Sequence, residues 1–402
     1  MQPGAEGRTA GRENVRVWRA ALSGMCASLV GIGLARFSYT PLIPALITAN
    51  WFEPSQVAFL GAANLAGYLA GALIGQRLAT WASSATVLRA MMVLATLSFF
   101  TSAFPLSFSW YFLWRFASGL SGGTIMVLAG PAILPHVPPS RRGLVGGAIF
   151  TGVGLGIAAS GTLVPLLLRF GLFATWCGLG VLALILTVVA WGGWPAEEAG
   201  SATPHPIGIA SGPRSGWALK SFYVEYGLNA VGLVPHMVFL VDFIARGLGQ
   251  GLAIGARYWV LFGLGATVGP ILAGHLADRI GFKSAIRLAF LLQAMAIALP
   301  TFTVSPAGLI VSTLFIGACV PGIVPLALGR VQELTPPEGH RAAWSLATIA
   351  FALGQASAAY AFSYIYAAGA GALPLFALGV AALILALVMD LSAPSRDGEG
   401  RG

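Results

Sequence analysis

The sequence predicts an all-α integral membrane protein of twelve transmembrane helices in two six-helix bundles. Three observations lead there. Hydrophobic residues make up 57% of the 402-residue chain and charged residues only 9%, against about 25% charged in an ordinary soluble domain. Twelve apolar stretches reach or approach the roughly 20 residues that cross a bilayer. The basic residues fall between those stretches and form no block. Such a composition excludes an ordinary soluble enzyme, a disordered chain and a disulfide scaffold, because water does not hold this much apolar surface on a soluble monomer. A net charge of +9 often signals nucleic acid. Here the scattered charges argue against it, and no nucleic-acid partner is expected.

Residues 1–19 are polar, carry four arginines and read as a cytoplasmic tail. The apolar stretch that follows, 20–47, is too long for a cleaved signal, whose apolar region is about 7–15 residues. It reads as an uncleaved first span. Spans at 55–77, 86–104, 109–134, 143–168 and 172–193 complete an N-terminal bundle, 20–193. Residues 194–216 hold Pro195, Glu197, Glu198, Pro204, Pro206 and Pro213 with no apolar period, and read as a cytoplasmic linker. Spans at 217–244, 257–277, 284–304, 307–329, 342–366 and 372–391 form the C-terminal bundle, 217–391, ahead of a tail at 392–402.

Basic residues set the orientation. With both termini on one side, that side collects seventeen Lys and Arg, among them Arg77, Arg141, Arg279 and Arg341. The other side collects three: Arg169, Arg246 and Arg257. Both termini are therefore expected in the cytoplasm. One missed span would invert every later loop, so the asymmetry also supports the count of twelve. Twenty arginines against two lysines, with abundant Ala and Gly, point to a GC-rich bacterial genome and so to an inner membrane. Cys26, Cys177 and Cys319 lie inside apolar stretches without metal spacing and read as packing residues. No metal or other cofactor is expected. Arg89 and Arg287, Gly119 and Gly317, and Gly156 and Gly354 are each 198 residues apart. With the equal division by the linker, this suggests that the bundles are parallel repeats.

Several motifs carry a resemblance. Gly274-His275-Leu276-Ala277-Asp278-Arg279-Ile280-Gly281-Phe282-Lys283 lies in the loop between spans eight and nine. It resembles the loop signature of the major facilitator superfamily. The resemblance implies a conformational latch built from Gly274, Asp278, Arg279, Gly281 and Lys283. Gly274 permits close helix approach, and Asp278 can face the positive N-terminal end of a neighbouring helix. The first-half counterpart, Gly75-Gln76-Arg77-Leu78-Ala79-Thr80, has no acid. Arg115-Phe116-Ala117-Ser118-Gly119 with Gly122 and Gly123 is similar to the same superfamily's span-four motif. Arg115 reads either as a cavity or proton-coupling residue or as a structural arginine bonded to carbonyls. Gly152 to Gly161 partly resembles an antiporter motif, with Ile157 in place of proline and Ser160 in place of glycine. Close helix packing is the favoured reading there.

The run Gly33-Leu34-Ala35-Arg36-Phe37-Ser38-Tyr39-Thr40-Pro41-Leu42-Ile43-Pro44 resembles the bacterial YbfB/YjiJ-type branch of the superfamily, and the likeness extends over the chain beyond residue 18. It implies the major facilitator fold and a cavity lined by spans one, four, seven and ten. On a helix, Arg36, Tyr39 and Thr40 share about 100° of one face, a stripe that suits a carboxylate or phosphate. In span seven Glu225, Asn229, Gly232 and His236 fall within about 60° of each other. A polar stripe in a membrane helix defaults to function. His236 is expected to face the cavity, and Glu225 and His236 to titrate with a coupling proton. Gln355 is an isolated amide in span eleven.

These residues together predict a secondary active transporter, not an enzyme. Its partners are the lipid bilayer, protons and a small organic solute, and the working unit is a monomer. Arg36, Tyr39, Thr40, Arg115, Asn229, His236 and Gln355 are the expected substrate-cavity residues, with Glu225, His236 and Arg115 as proton-coupling groups. Two arginines favour an anionic solute. The rival reading is a proton-driven exporter of drugs or apolar metabolites.

Overall fold

The computed structural model describes residues 3–195, 213–366 and 371–392. Most of the predicted linker (196–212) and the tail beyond 392 lie outside the described residues. All regular structure among the described residues is helical.

Helix α1 is a path of four pieces. Pro3–Ser28 continues through a π-helical stretch, Leu29–Leu34, into Ala35–Phe37, and after a turn at Ser38 into Tyr39–Thr48. Its first turns occupy the segment read as a tail. The N-terminal half continues with α2 (Pro54–Trp81), α3 (Ser84–Ser102), α4 (Phe108–Ile133), α5 (Arg142–Leu167) and α6 (Leu172–Ala190). In the C-terminal half, α7 begins at Pro213–Val234 and runs on through π-helical Pro235–Phe239, Leu240–Asp242 and Phe243–Gly247. Then come α8 (Leu252–Ile280), α9 (Phe282–Phe302), α10 (Pro306–Leu334), α11 (His340–Ile365) and α12 (Leu373–Ser392).

The helix starts follow from local sequence. Ser83, Ser107 and Ser305 accept from the amides of Thr86, Trp110 and Gly308 at the starts of α3, α4 and α10. Glu53 and Gln56 form a capping box before α2, with Pro54 at the first helical position.

Eleven helices among the described residues are long and apolar enough to cross a membrane by length and composition. The expected span 217–244 does not qualify. Pro213–Val234 carries Lys220, Glu225 and Asn229, and Pro235 starts a π-helical break. Its path still runs with the others: α7 packs along α11 and α12. Trp81, Phe302 and Tyr364 are 82%, 85% and 79% exposed close to helix ends. Water would not favour such exposure, but a membrane–water interface does.

The two halves make equivalent contacts. Gly119 of α4 approaches the carbonyl of Asn64 on α2, and Gly317 of α10 approaches that of Phe262 on α8. All four positions keep the 198-residue offset. Arg89 of α3 donates to the Trp191 carbonyl at the end of α6 (2.9 Å). Arg287 of α9 does the same at the end of α12, to the carbonyl (2.9 Å) and carboxylate of Asp390. Between halves, α5 packs along α8 and α11 packs against α2. One pair becomes the other when helix n is exchanged with helix n + 6.

Candidate functional site between the bundles

A cavity of about 40 Å³ lies where the two halves meet. At roughly 10–15 Å³ per water it holds about three or four waters. Its lining includes Arg36 and Phe37 from α1, Tyr68 from α2, Met126 from α4, and Tyr226 and Met237 from α7. Val320, Pro321 and Val324 come from α10, and Thr348, Phe351 and Gln355 from α11. Spans one, four, seven and ten therefore contribute as expected. Spans two and eleven add two further aromatic rings, Tyr68 and Phe351, and the Gln355 amide.

Arg36 is the charged member of that lining. It is half-buried, and its Nη2 donates to Gln355 Oε1 at 2.7 Å. Gln355 Nε2 points at the Met237 sulfur (3.3 Å). The guanidinium carbon lies 5.2 Å and 5.8 Å from the ring centres of Phe37 and Tyr68. Arg36 has no carboxylate partner among the described residues.

Tyr39 and Thr40 do not join Arg36 in the cavity lining. Ser38 is a single turn residue between two helical pieces, with helical dihedrals, and both its amide (3.1 Å) and its hydroxyl (2.6 Å) return to the Leu34 carbonyl. Tyr39 turns inward and donates to the Val57 carbonyl (2.9 Å), while Thr40 is exposed.

Arg115 is only 4% exposed and also stands apart from that lining. Its Nη1 donates to the Ala35 carbonyl (3.0 Å) and its Nε to the Leu60 carbonyl (3.4 Å). The Tyr39 ring lies 4.1 Å from its guanidinium carbon. Asn64 ties the same corner to the Arg115 carbonyl and the Ser118 hydroxyl. Here the arginine joins α1, α2 and α4 through backbone oxygens.

The span-seven stripe points away from the cavity, into the C-terminal bundle. Glu225 is 2% exposed and accepts from the Ser221 hydroxyl (2.7 Å). Its charged neighbours are Asp390, Arg330 and Arg287. Asn229 donates to Gln293 Oε1 of α9 (2.8 Å), and both residues are fully buried. Gly232 meets Leu383 and Gly379 of α12. His236 is fully buried, with Nε2 2.7 Å from the Ser312 hydroxyl and its ring edge-on to Phe376. The Ser312 hydroxyl gives its proton to the Ala296 carbonyl (2.7 Å), so towards His236 it can only accept. Nε2 therefore carries the imidazole proton. His236 Nδ1, Asn229 Oδ1 and Gln293 Nε2 are left without hydrogen-bond partners among the described residues.

At one end of the molecule the halves are closed. Asp278 accepts from the amides of Gly143 and Leu144, each at 2.9 Å. These amides lie in the first turn of α5, where a carboxylate meets the positive helix end. Gly274 makes the approach possible: a Cβ there would collide with the Gly143 carbonyl. Gly281 takes φ +81° and starts α9, Arg279 is exposed and Lys283 half-buried. On the equivalent first-half turn, Thr80 replaces the acid and donates to the Arg77 carbonyl of its own helix (2.7 Å). Gln76 instead donates to the Arg341 carbonyl (3.1 Å). Trp344 and Ser345 of α11 add bonds to the carbonyls of Met126 and Ala72. At Gly152–Gly161, Gly152 abuts Met25 of α1, Gly154 abuts Ala266 of α8 and Gly156 abuts Gly33 of α1. That stretch seats α5 between two helices.

Tyr68, Tyr226, Phe351, Gln293 and Ser312 were missed by the sequence reading. Gln293, a lone amide in a membrane span, carried the same signal as Gln355.

The comparisons with known proteins fit this architecture. A family model described as "Uncharacterised MFS-type transporter YbfB" matches residues 28–391. A Streptomyces coelicolor protein named "Probable transporter SCO4007" is 25% identical over 287 residues, 69% of this chain and 65% of that protein. The chain therefore spans somewhat less than two thirds of that relative. The proton:xylose symporter XylE superposes with a TM-score of 0.74 at 15% identity, over 95% of this chain and 97% of that one. The E. coli fucose:proton symporter FucP gives 0.72 at 11%, over 95% and 99%. Family and fold are those of transporters, and the chain belongs to the YbfB-type family of major facilitator superfamily membrane transporters.

Proposed function

We propose that this protein is a secondary active transporter that moves a small, negatively charged organic solute by alternating access. The observation that carries this reading is Arg36, a half-buried cation without an acid partner among the described residues, in a cavity between two bundles. An anion supplies what the fold withholds from it. The 17:3 asymmetry of basic residues supports cytoplasmic termini in a bacterial plasma membrane. The Asp278 end is then the cytoplasmic end, and this conformation is closed to the cytoplasm. Asp278, with Gly274, Arg279, Gly281 and Lys283, acts as the latch on that side.

Proton coupling belongs in this reading to the C-terminal bundle. Glu225 and His236 are its buried carboxylate and imidazole on α7, and neither belongs to the cavity lining. Arg115 is read as a tie between helices. The chain works as a monomer and needs no cofactor.

A second reading, export of an apolar compound, is favoured by the aromatic and aliphatic walls around Arg36. Purified protein in proteoliposomes with an internal pH dye separates the two. Inward proton movement driven by an inward gradient of an organic acid supports symport. Proton movement opposite to an apolar or cationic solute establishes export and overturns the first reading.

A further inference from the structure

The cavity lining combines one cation with a largely apolar wall. Arg36 offers five N–H donors, and one of its nitrogens is engaged, by Gln355 Oε1 at 2.7 Å. Arg115 gives its donors to carbonyls and lies outside the lining, so the demand for negative charge rests on Arg36. Around it stand Phe37, Tyr68, Tyr226, Phe351, Met126 and Met237. One cation calls for one negative charge, and the wall calls for an apolar or aromatic body. A planar guanidinium pairs with a carboxylate through two parallel hydrogen bonds. A dianion would need a second cation that this lining lacks.

The Arg36–Gln355 bond also joins the two halves of the molecule, α1 to α11. The cavity behind it admits only a few waters. A solute of any size must therefore part this pair. We propose that the solute is an apolar or aromatic monocarboxylate whose carboxylate takes the place of Gln355 on Arg36, so that binding itself releases the bond between the bundles at the cavity. This rests on the transporter reading above and names its substrate class.

The test uses purified full-length protein in detergent, with calorimetric binding and the thermal unfolding midpoint as readouts. The probes are benzoate, phenylacetate and isovalerate, with benzamide, benzylamine and inorganic phosphate as controls. The expected result is saturable binding and a raised midpoint with at least one monocarboxylate and none with the controls. Arg36→Gln should weaken that binding about 10- to 100-fold, the worth of a charged hydrogen-bonded pair. Gln355→Ala should keep or tighten it, since a competitor is gone. Gln355→Glu should abolish it by supplying an internal carboxylate. If Arg36→Gln does not fold, the contrast between Gln355→Ala and Gln355→Glu decides. Equal binding of benzamide, undiminished binding to Arg36→Gln, or no binding of any monocarboxylate overturns the proposal. Movement of some other solute in the proteoliposome assay would then leave the transporter reading standing. No movement of any solute would remove both.

Discussion

The two intramembrane arginines solve the same electrostatic problem differently. Arg115 satisfies itself on the carbonyls of Ala35 and Leu60 and the face of Tyr39. Arg36 keeps donors without a partner among the described residues, beside a cavity. Arg115→Leu should therefore cost about 2–3 kcal/mol of stability, since buried acceptors are orphaned, and leave ligand binding to the folded fraction unchanged. Thermal unfolding and calorimetry on one preparation check both halves of that statement. The Asn229–Gln293 pair makes a second residue-scale case. Asn229→Leu or Gln293→Leu alone leaves a buried amide without its partner, at about 1–3 kcal/mol each. The double substitution should cost clearly less than the sum of the two. Additive losses in a thermal double-mutant cycle would show that the amides do not act as a pair.

At the scale of elements, the interface that matters is α5 on α8. Small residues let two backbones meet across the halves at Gly143 and Gly274 and at Gly154 and Ala266. Membrane helices gain from such packing because lipid offers no hydrophobic drive between them. Gly274→Ala places a methyl group against the Gly143 carbonyl and should force the helices apart at that end. Cysteine reactivity of a Val324→Cys reporter beside the cavity is expected to rise in that background. Asp278→Ala removes two charge-assisted hydrogen bonds to the start of α5, worth about 1.5–3 kcal/mol each. It should shift the same reporter in the same direction, and unchanged labelling would count against the latch. The first-half turn has Thr80 where the second has Asp278, so Gln76→Ala should shift it less.

At the scale of the molecule, closure at one end comes from bonds spread over α5–α8 and α2–α11. A cation–amide pair, Arg36–Gln355, holds the middle. His236 lies on neither surface. His236→Ala should lower the unfolding midpoint and disturb proton movement while leaving Arg36-dependent binding intact. Normal proton-coupled transport by that variant in proteoliposomes would remove His236 from the coupling mechanism.

The division of labour between sequence and tertiary structure follows these scales. Span positions, the repeat offset and the family are local or periodic properties. They were legible because an apolar helix needs only its own length and composition to enter a bilayer. That Glu225, Asn229 and His236 share a face was also legible, since the helical period sets it. Which neighbour that face meets was not. A stripe of polar residues looks the same from the chain whether it borders a solute cavity or a buried amide and hydroxyl on another helix. Packing against α9, α10 and α12 decided that question. Packing likewise took Tyr39 out of the cavity lining, through its bond to the Val57 carbonyl of α2. The sequence by itself determined the membrane fold, the halves and the candidate polar groups. Only the tertiary structure decided which of those groups face the space between the halves, because helix rotation is set by contacts that no single span contains.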